Sequence, residues 1–168
     1  MKRGLTPRIA AALCLAGSAA LLIAVRVFDA LGYVPCPLCL DQRKFHWAAV
    51  IIAAVALVLS SRPAMARLTR IAVILLAVVY VGSAGYAGWH AGIEYGWFPA
   101  PPCEAAAVDL GSIDLLESLS RPSRAVPCDE AAWRLFGVSL AGYNFIASLL
   151  LAGIAAIGAT ARPKGIFR

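Results

Sequence analysis

Residues 136–160 read FGVSLAGYNFIASLLLAGIAAIGAT and contain no charged side chain. An α-helix rises ~1.5 Å per residue, so ~20 residues are enough to cross the ~30 Å hydrocarbon core of a bilayer. An apolar run of this length suits a lipid bilayer better than the core of a soluble domain. The stretch therefore predicts a transmembrane helix near the end of the chain.

Three further apolar runs precede this one, at residues 9–28, 40–61 and 71–89. The second is the weakest because Arg43, Lys44 and His46 occupy its first turns, where such groups can stay at the headgroup level. The first run is longer than the core of a signal peptide, so we expect a retained helix. The prediction is an all-α membrane protein, a four-transmembrane-helix bundle that forms one domain over residues 1–168.

The composition supports this class and argues against a soluble one. Of the 168 residues, 61% are hydrophobic and only 14% are charged, whereas soluble domains are about half apolar and a quarter charged. The net charge of +6 does not indicate a nucleic-acid partner, because the basic residues flank apolar segments and form no basic domain.

The charges are distributed unequally between the two sides of the predicted bundle. Nine basic residues and no acidic ones lie in the two tails and in the 62–70 connection: Lys2, Arg3, Arg8, Arg62, Arg67, Arg70, Arg162, Lys164 and Arg168. All nine acidic residues lie in or beside the segments 29–44 and 90–135. The positive-inside rule therefore places both termini in the cytoplasm and the loops 29–39 and 90–135 on the periplasmic side.

Four of the five cysteines fall on that outer side: Cys36, Cys39, Cys103 and Cys128. In bacteria this compartment is oxidising, so disulfides persist there. Structural disulfides, a zinc site and a redox-active dithiol are the alternatives, and zinc is disfavoured because only one pair is closely spaced. Cys14 lies within the first predicted helix and is expected to be a buried, inert thiol.

The close pair, Cys36 and Cys39, favours redox chemistry. Two cysteines separated by two residues can close a strained, readily exchanged disulfide. Proline favours the first turn of a helix, so Pro37 predicts that the second helix begins there. Cys39 would then lie in the first turn, where unpaired N–H groups and the helix dipole favour a thiolate.

Arg43 follows Cys39 by four residues and therefore lies on the same helix face. His46 and Trp47 continue that face one turn deeper. A thiolate, a cation and an aromatic wall at the membrane surface suit a flat, lipid-soluble electron acceptor with two carbonyl oxygens. Interfacial anchoring or helix packing is the alternative for all three side chains.

The second outer loop combines prolines with a short amphipathic pattern. Leu110, Ile113, Leu116 and Leu119 recur about every third residue, with acidic residues between them. The pattern predicts a short helix, either lying on the outer leaflet or packed on the bundle.

Taken together, these residues resemble the disulfide bond formation protein B (DsbB) family. The resemblance rests on Pro35-Cys36-Pro37-Leu38-Cys39 followed by Gln42-Arg43, on Trp89-His90 upstream of Cys103, and on the segment from Cys128 to Gly137. It covers essentially the whole chain. Some members of the family have an acidic residue at the position of Gln42, so a proton role there is in doubt.

The resemblance implies a role for each candidate residue. Cys36 and Cys39 would be the quinone-linked pair, with Cys39 nearest the quinone, Arg43 in contact with it and His90 near its ring. Cys103 would form the mixed disulfide with a DsbA-like periplasmic thiol oxidase, and Cys128 would resolve it. The electrons would pass to the membrane quinone pool, as ubiquinone or menaquinone, in the bacterial inner membrane, and no metal is implied.

Two other functions fit parts of the pattern. A reductase similar to vitamin K epoxide reductase also combines four spans with a Cys-x-x-Cys, but its close pair typically lies at a late helix. A non-enzymatic membrane protein with structural disulfides predicts no quinone binding and no specific need for Cys39.

Overall fold

The structure, a computed structural model, describes residues 5–101 and 127–161. Its four long helices are α1 (Pro7–Ala30), α2 (Pro37–Ser60), α3 (Ala66–Glu94) and α4 (Leu140–Thr160). A 3₁₀ turn (Pro63–Met65) joins α2 to α3, and two short antiparallel strands, β1 (Arg134–Leu135) and β2 (Val138–Ser139), precede α4. All four helices are long and apolar enough to cross a membrane. The predicted four-helix membrane fold is confirmed.

Two helix boundaries differ from the predicted spans. Helix α3 continues past Trp89 to Glu94, so its last turn carries polar groups that the prediction assigned to the loop. Helix α4 begins only at Leu140 because the β1–β2 hairpin precedes it. Phe136 and Gly137 both have positive φ values, 50° and 79°, as a tight hairpin turn requires. The predicted helix at residues 110–119 lies outside the described residues.

Side chains cap the starts of α1, α2 and α4. The Thr6 hydroxyl accepts from the backbone N–H of Ile9 at 3.3 Å, and the Ser139 hydroxyl accepts from that of Gly142 at 3.1 Å. The Cys36 sulfur has the same position at the start of α2, where it accepts from the backbone N–H of Cys39. Capping of this kind satisfies N–H groups that have no partner within the helix.

Each helix packs against the next one along the chain, and α1 also packs against α4, which closes the bundle. The interior is built largely from small side chains, including Ala10, Ala11, Ala49, Ala53, Ala56, Ala152 and Ala155. Small residues let helices approach closely where no water is available to drive their association. Thr6, Arg62 and Ala161 line one cavity, so both described ends and the α2–α3 turn lie at the same end of the bundle.

We expect Gly158→Ala to destabilise the bundle by about 1–3 kcal/mol, the usual cost of overpacking a core. A Cβ at this position would overlap the Cβ of Ala10 on α1. Gly153→Ala is the matched control in the same helix, since nothing lies within 4 Å of its added Cβ. Thermal unfolding in detergent should show a lower midpoint for Gly158→Ala only. Equal midpoints would show that α1 and α4 are not in close contact.

Candidate active site

Cys36 and Cys39 lie at the start of α2 with their sulfurs 2.7 Å apart, both as free thiols. Helix α2 begins at Pro37, as predicted, and Cys36 is its N-cap. The backbone N–H of Cys39 donates to the Cys36 sulfur at 3.2 Å. The N–H groups of the helix end therefore favour negative charge on Cys36, three residues earlier than the predicted position at Cys39.

The environment of Cys36 stabilises its thiolate. Hydrogen bonding from the Cys39 thiol, helped by His90 and by the Cys39 backbone N–H, lowers the pKa of Cys36 to about 5 against the opposing effect of burial. The Nε2 atom of His90 lies 3.7 Å from the Cys36 sulfur. A thiolate is the nucleophile in disulfide exchange, so these hydrogen bonds favour the reactive form of Cys36.

A continuous row of hydrogen bonds leads from the middle of the bundle to His90. Its inner part joins Tyr80 to Ser18 (2.7 Å), Ser18 to His46 Nδ1 (3.2 Å) and His46 Nε2 to Asn144 Oδ1 (2.8 Å). Its outer part joins Asn144 Nδ2 to Gln42 Oε1 (2.7 Å) and Gln42 Nε2 to His90 Nδ1 (2.6 Å). The Gln42 amide donates to His90 Nδ1, so the neutral ring carries its proton on Nε2. The Nε2 atom lies 3.7 Å from the Cys36 sulfur, within reach of a hydrogen bond to it.

Arg43 is held by a carboxylate that the sequence pattern did not indicate. Its two terminal nitrogens donate to the two oxygens of Asp29 on α1, both at 2.7 Å. The side chains are 14% and 24% exposed, respectively, so the pair is only partly screened by water. A bidentate pair fixes the plane of the guanidinium, and Asp29 therefore orients Arg43 at the cavity wall.

Glu94, the last residue of α3, is a second group that sequence reasoning missed. It lies four residues after His90, and its Oε1 atom is 3.8 Å from His90 Nε2. Its side chain is 6% exposed, and Oε2 has no hydrogen-bond partner among the described residues. The predicted helix end at Trp89 hid this arrangement. Had the predicted helix been extended to Glu94, the four-residue spacing would have placed Glu94 on the same face as His90.

These groups surround a cavity of about 320 Å³, which is within the usual size range of small-molecule sites. Its wall is mainly apolar and includes Leu21, Leu22, Val25, Phe28, Trp133 and Leu140. The polar groups that reach it include both sulfurs, Arg43 and Glu94. An apolar molecule with a few hydrogen-bonding oxygens fits such a lining.

The structure brings most of the predicted site residues together. Cys36, Cys39, Arg43 and His46 line the cavity, and His90 contacts Cys36. Trp47 is 51% exposed and is not part of the cavity wall, so the structure does not bring this predicted residue to the site.

Cys128 is buried and packs with Cys36, Leu38 and Ile93. It is disulfide-bonded, whereas Cys103 lies outside the described residues. The buried thiol Cys14 lies within α1, where it donates towards the backbone oxygen of Leu151, and it does not line the cavity. One cysteine of the second outer segment is thus adjacent to the close pair.

We expect the reduced protein to react with iodoacetamide at Cys36 at a nearly constant rate from about pH 8 down to about pH 6. The pKa of about 5 keeps Cys36 deprotonated above that value, and its reactivity is lost as the pH falls through it. The alkylation rate of an ordinary thiol, with a pKa of ~8.5, falls about tenfold for each pH unit below that value. Peptide mass spectrometry measures the Cys36 adduct, with detergent-unfolded protein as control. If the alkylation rate of Cys36 fell at the same pH as in the unfolded protein, the lowered pKa of Cys36 would be contradicted.

The family model described as disulfide bond formation protein DsbB matches residues 7–158 of the chain. The matched range includes all four long helices almost completely, together with both cysteine-bearing outer segments. No curated protein and no solved structure matches the chain.

Proposed function

Since the chain belongs to the DsbB family of membrane proteins that form disulfide bonds, we propose that it oxidises a periplasmic dithiol protein and passes the electrons to a membrane quinone. In this proposal the protein lies in a bacterial inner membrane, and its soluble partner is a DsbA-like thiol oxidase. The observation that carries the proposal is a free cysteine pair, 2.7 Å apart, in the wall of an apolar cavity beside Arg43.

The cavity residues fit a quinone in shape and chemistry. The apolar wall suits the ring and the start of a prenyl tail, and the guanidinium of Arg43 can donate to a carbonyl oxygen. Ubiquinone and menaquinone share these features. Bound there, a quinone supplies the two-electron oxidant that the cysteine pair needs.

Each sulfur of the pair has its own part in this reaction. Electrons leave the pair through the sulfur of Cys39, which lines the cavity. The Cys36 thiolate, 2.7 Å away, then forms the disulfide bond with Cys39. His90 donates its Nε2 proton towards Cys36 and so holds the nucleophile in its reactive form.

The second outer segment connects the pair to the partner. Cys128 is disulfide-bonded and packs beside Cys36, and we assign Cys103 as its partner. The dithiol protein attacks Cys103, and Cys128 then either resolves that mixed disulfide or exchanges with the nearby Cys36. Each exchange is a thiolate displacement, so the burial of Cys128 against the pair shortens the transfer path.

The proposal is tested with purified protein, a reduced DsbA-like dithiol protein and a ubiquinone or menaquinone analogue under anaerobic conditions. We expect one quinol for each partner disulfide formed, and no quinol when either substrate is omitted. Cys14→Ser is the control and should retain the wild-type rate, because Cys14 is buried within α1, away from the cavity. Failure to reduce either quinone would discard the proposal in favour of structural disulfides.

A further inference from the structure

The proposed reaction leaves one proton unaccounted for. With Cys36 as thiolate and Cys39 as thiol, closing the disulfide releases two electrons and one proton. Forming a quinol takes up two electrons and two protons. A second proton donor must therefore reach the quinone, and an acidic group in the cavity wall is placed to supply that proton.

Three carboxyl groups of the described residues line the cavity: Asp29, Glu94 and Glu130. Asp29 is bound through both oxygens by Arg43, so it is held as a carboxylate. Glu130 is exposed to solvent. Only Glu94 combines burial with an oxygen that has no partner among the described residues, since its Oε2 atom is unpaired. A buried polar atom without a partner in a native fold calls for an explanation such as a catalytic role.

We propose that Glu94, as a carboxylic acid, delivers the second proton to the quinone that the cysteine pair reduces. The proposal rests on the proposed function. The step balances: the Cys36 thiolate, the Cys39 thiol, the Glu94 acid and the quinone give the Cys36–Cys39 disulfide, the Glu94 carboxylate and the quinol. The sulfur–sulfur bond forms, the two sulfurs are oxidised, and the quinone receives two electrons and two protons. A proton from the periplasmic water then restores the acid.

The neighbours of Glu94 suit this exchange. His90 lies one turn earlier on the same helix, Cys36 and Cys39 face it from the start of α2, and Ser139 lies near its carboxyl group. Arg134 donates to the backbone oxygen of Glu94 at 2.8 Å. The Cys36 thiolate disfavours a negative charge on the Glu94 carboxyl, and the Arg134 guanidinium favours one. When the pair becomes a neutral disulfide, the repulsion from sulfur ends, which helps the carboxylate form as the proton leaves.

His90 is a poorer candidate for this donor. Its Nδ1 atom accepts from Gln42, and its Nε2 atom lies 3.7 Å from the Cys36 sulfur. Both ring nitrogens therefore already have hydrogen-bond partners. The unpaired oxygen of Glu94, by contrast, belongs to a group that lines the cavity.

The test compares wild type, Glu94→Gln and Glu94→Asp in the assay for quinol formation. Glutamine keeps the shape but carries no transferable proton, so we expect about 10²-fold slower quinone reduction, the size of a typical acid–base contribution. Aspartate should restore a substantial part of that rate. Asp129→Asn removes an exposed carboxyl on the outer side and should leave the rate unchanged.

Two further readouts separate proton delivery from a structural role. Hexacyanoferrate accepts electrons without protons, so its oxidation of the cysteine pair should be equally fast in wild type and Glu94→Gln. The infrared difference spectrum between dithiol and disulfide forms, recorded without quinone, should contain a carboxylic-acid band that Glu94→Gln lacks. Loss of the hexacyanoferrate reaction in Glu94→Gln would show a structural defect and overturn the inference.

The outcomes also separate this inference from the function on which it rests. If wild type reduces no quinone, the proposed function fails. If wild type reduces quinone and Glu94→Gln does so equally fast with an unchanged infrared spectrum, only the inference about Glu94 fails.

Discussion

Cys39→Ser is expected to abolish quinol formation, with a loss of at least about 10⁴-fold, as when a nucleophile is removed from a catalytic group that acts as a unit. Serine cannot form a disulfide with Cys36, so the two electrons have no route out of the pair. The exchange between a reduced dithiol protein and the disulfide of Cys128 does not require Cys39. A single round of partner oxidation should therefore remain, while quinol formation stops.

Both reactions, quinol formation and oxidation of the partner dithiol, are measured in one stopped-flow experiment, each by its own signal. Cys14→Ser again serves as the control, since its sulfur is buried in α1 and makes only a weak hydrogen bond to Leu151. Continued turnover of quinone by Cys39→Ser would disprove electron transfer through the close pair. Loss of the single round as well would place Cys39 earlier in the sequence of exchanges than we propose.

The fold could be predicted because the bilayer imposes few alternatives on uncharged runs of ~20 residues. The predicted run at 136–160 differs from α4 only at its start, where Phe136 and Gly137 turn the chain into a hairpin. Hydropathy does not detect such a turn, because its residues are as apolar as the helix that follows. The end of α3 was missed for the opposite reason, since His90 and Glu94 are polar yet buried.

The site was predictable only where its residues are neighbours along one helix. Cys36, Cys39 and Arg43 follow from spacing on α2, since three to four residues make one turn. Asp29 and Asn144 come from other helices, and no local pattern shows that they contact Arg43 and Gln42. The Asn144 amide donates to the Gln42 side chain at 2.7 Å, a contact between α4 and α2.

The position of the thiolate is a further point on which helix geometry and sequence pattern differ. Placing Cys39 in the first turn suggested that its own sulfur benefits from the helix end. However, a side chain in the N-cap position is the one that bends back to accept backbone N–H groups, and Cys36 occupies that position. The two sulfurs therefore differ in their surroundings: the Cys39 thiol and backbone N–H favour negative charge on Cys36, and both side chains line the cavity.

Arg43→Ala is expected to lower the rate of quinone reduction at limiting quinone by about 10³-fold, the upper part of the range for losing one donor to a developing oxyanion. The guanidinium lies in the wall of an apolar cavity, where its interaction with a reduced carbonyl is less screened than in water, although Asp29 offsets part of its charge. The attack of the dithiol partner occurs elsewhere and should be unaffected. Arg43→Lys should recover only part of the rate, because an ammonium group cannot pair with both oxygens of Asp29 in one plane.

Asp29→Asn tests whether the orientation of the guanidinium matters in addition to its charge. It leaves Arg43 charged but removes the carboxylate that holds it at 2.7 Å through two hydrogen bonds, so we expect a higher KM for quinone and little change in kcat. Arg26→Ala is the matched control, since Arg26 is 70% exposed and also lies 3.7 Å from Asp29. Equal effects of Arg26→Ala and Arg43→Ala would mean that the outer surface needs positive charge in general. A loss confined to Arg43 and Asp29 would show that one oriented cation beside the cysteine pair binds the quinone oxygen.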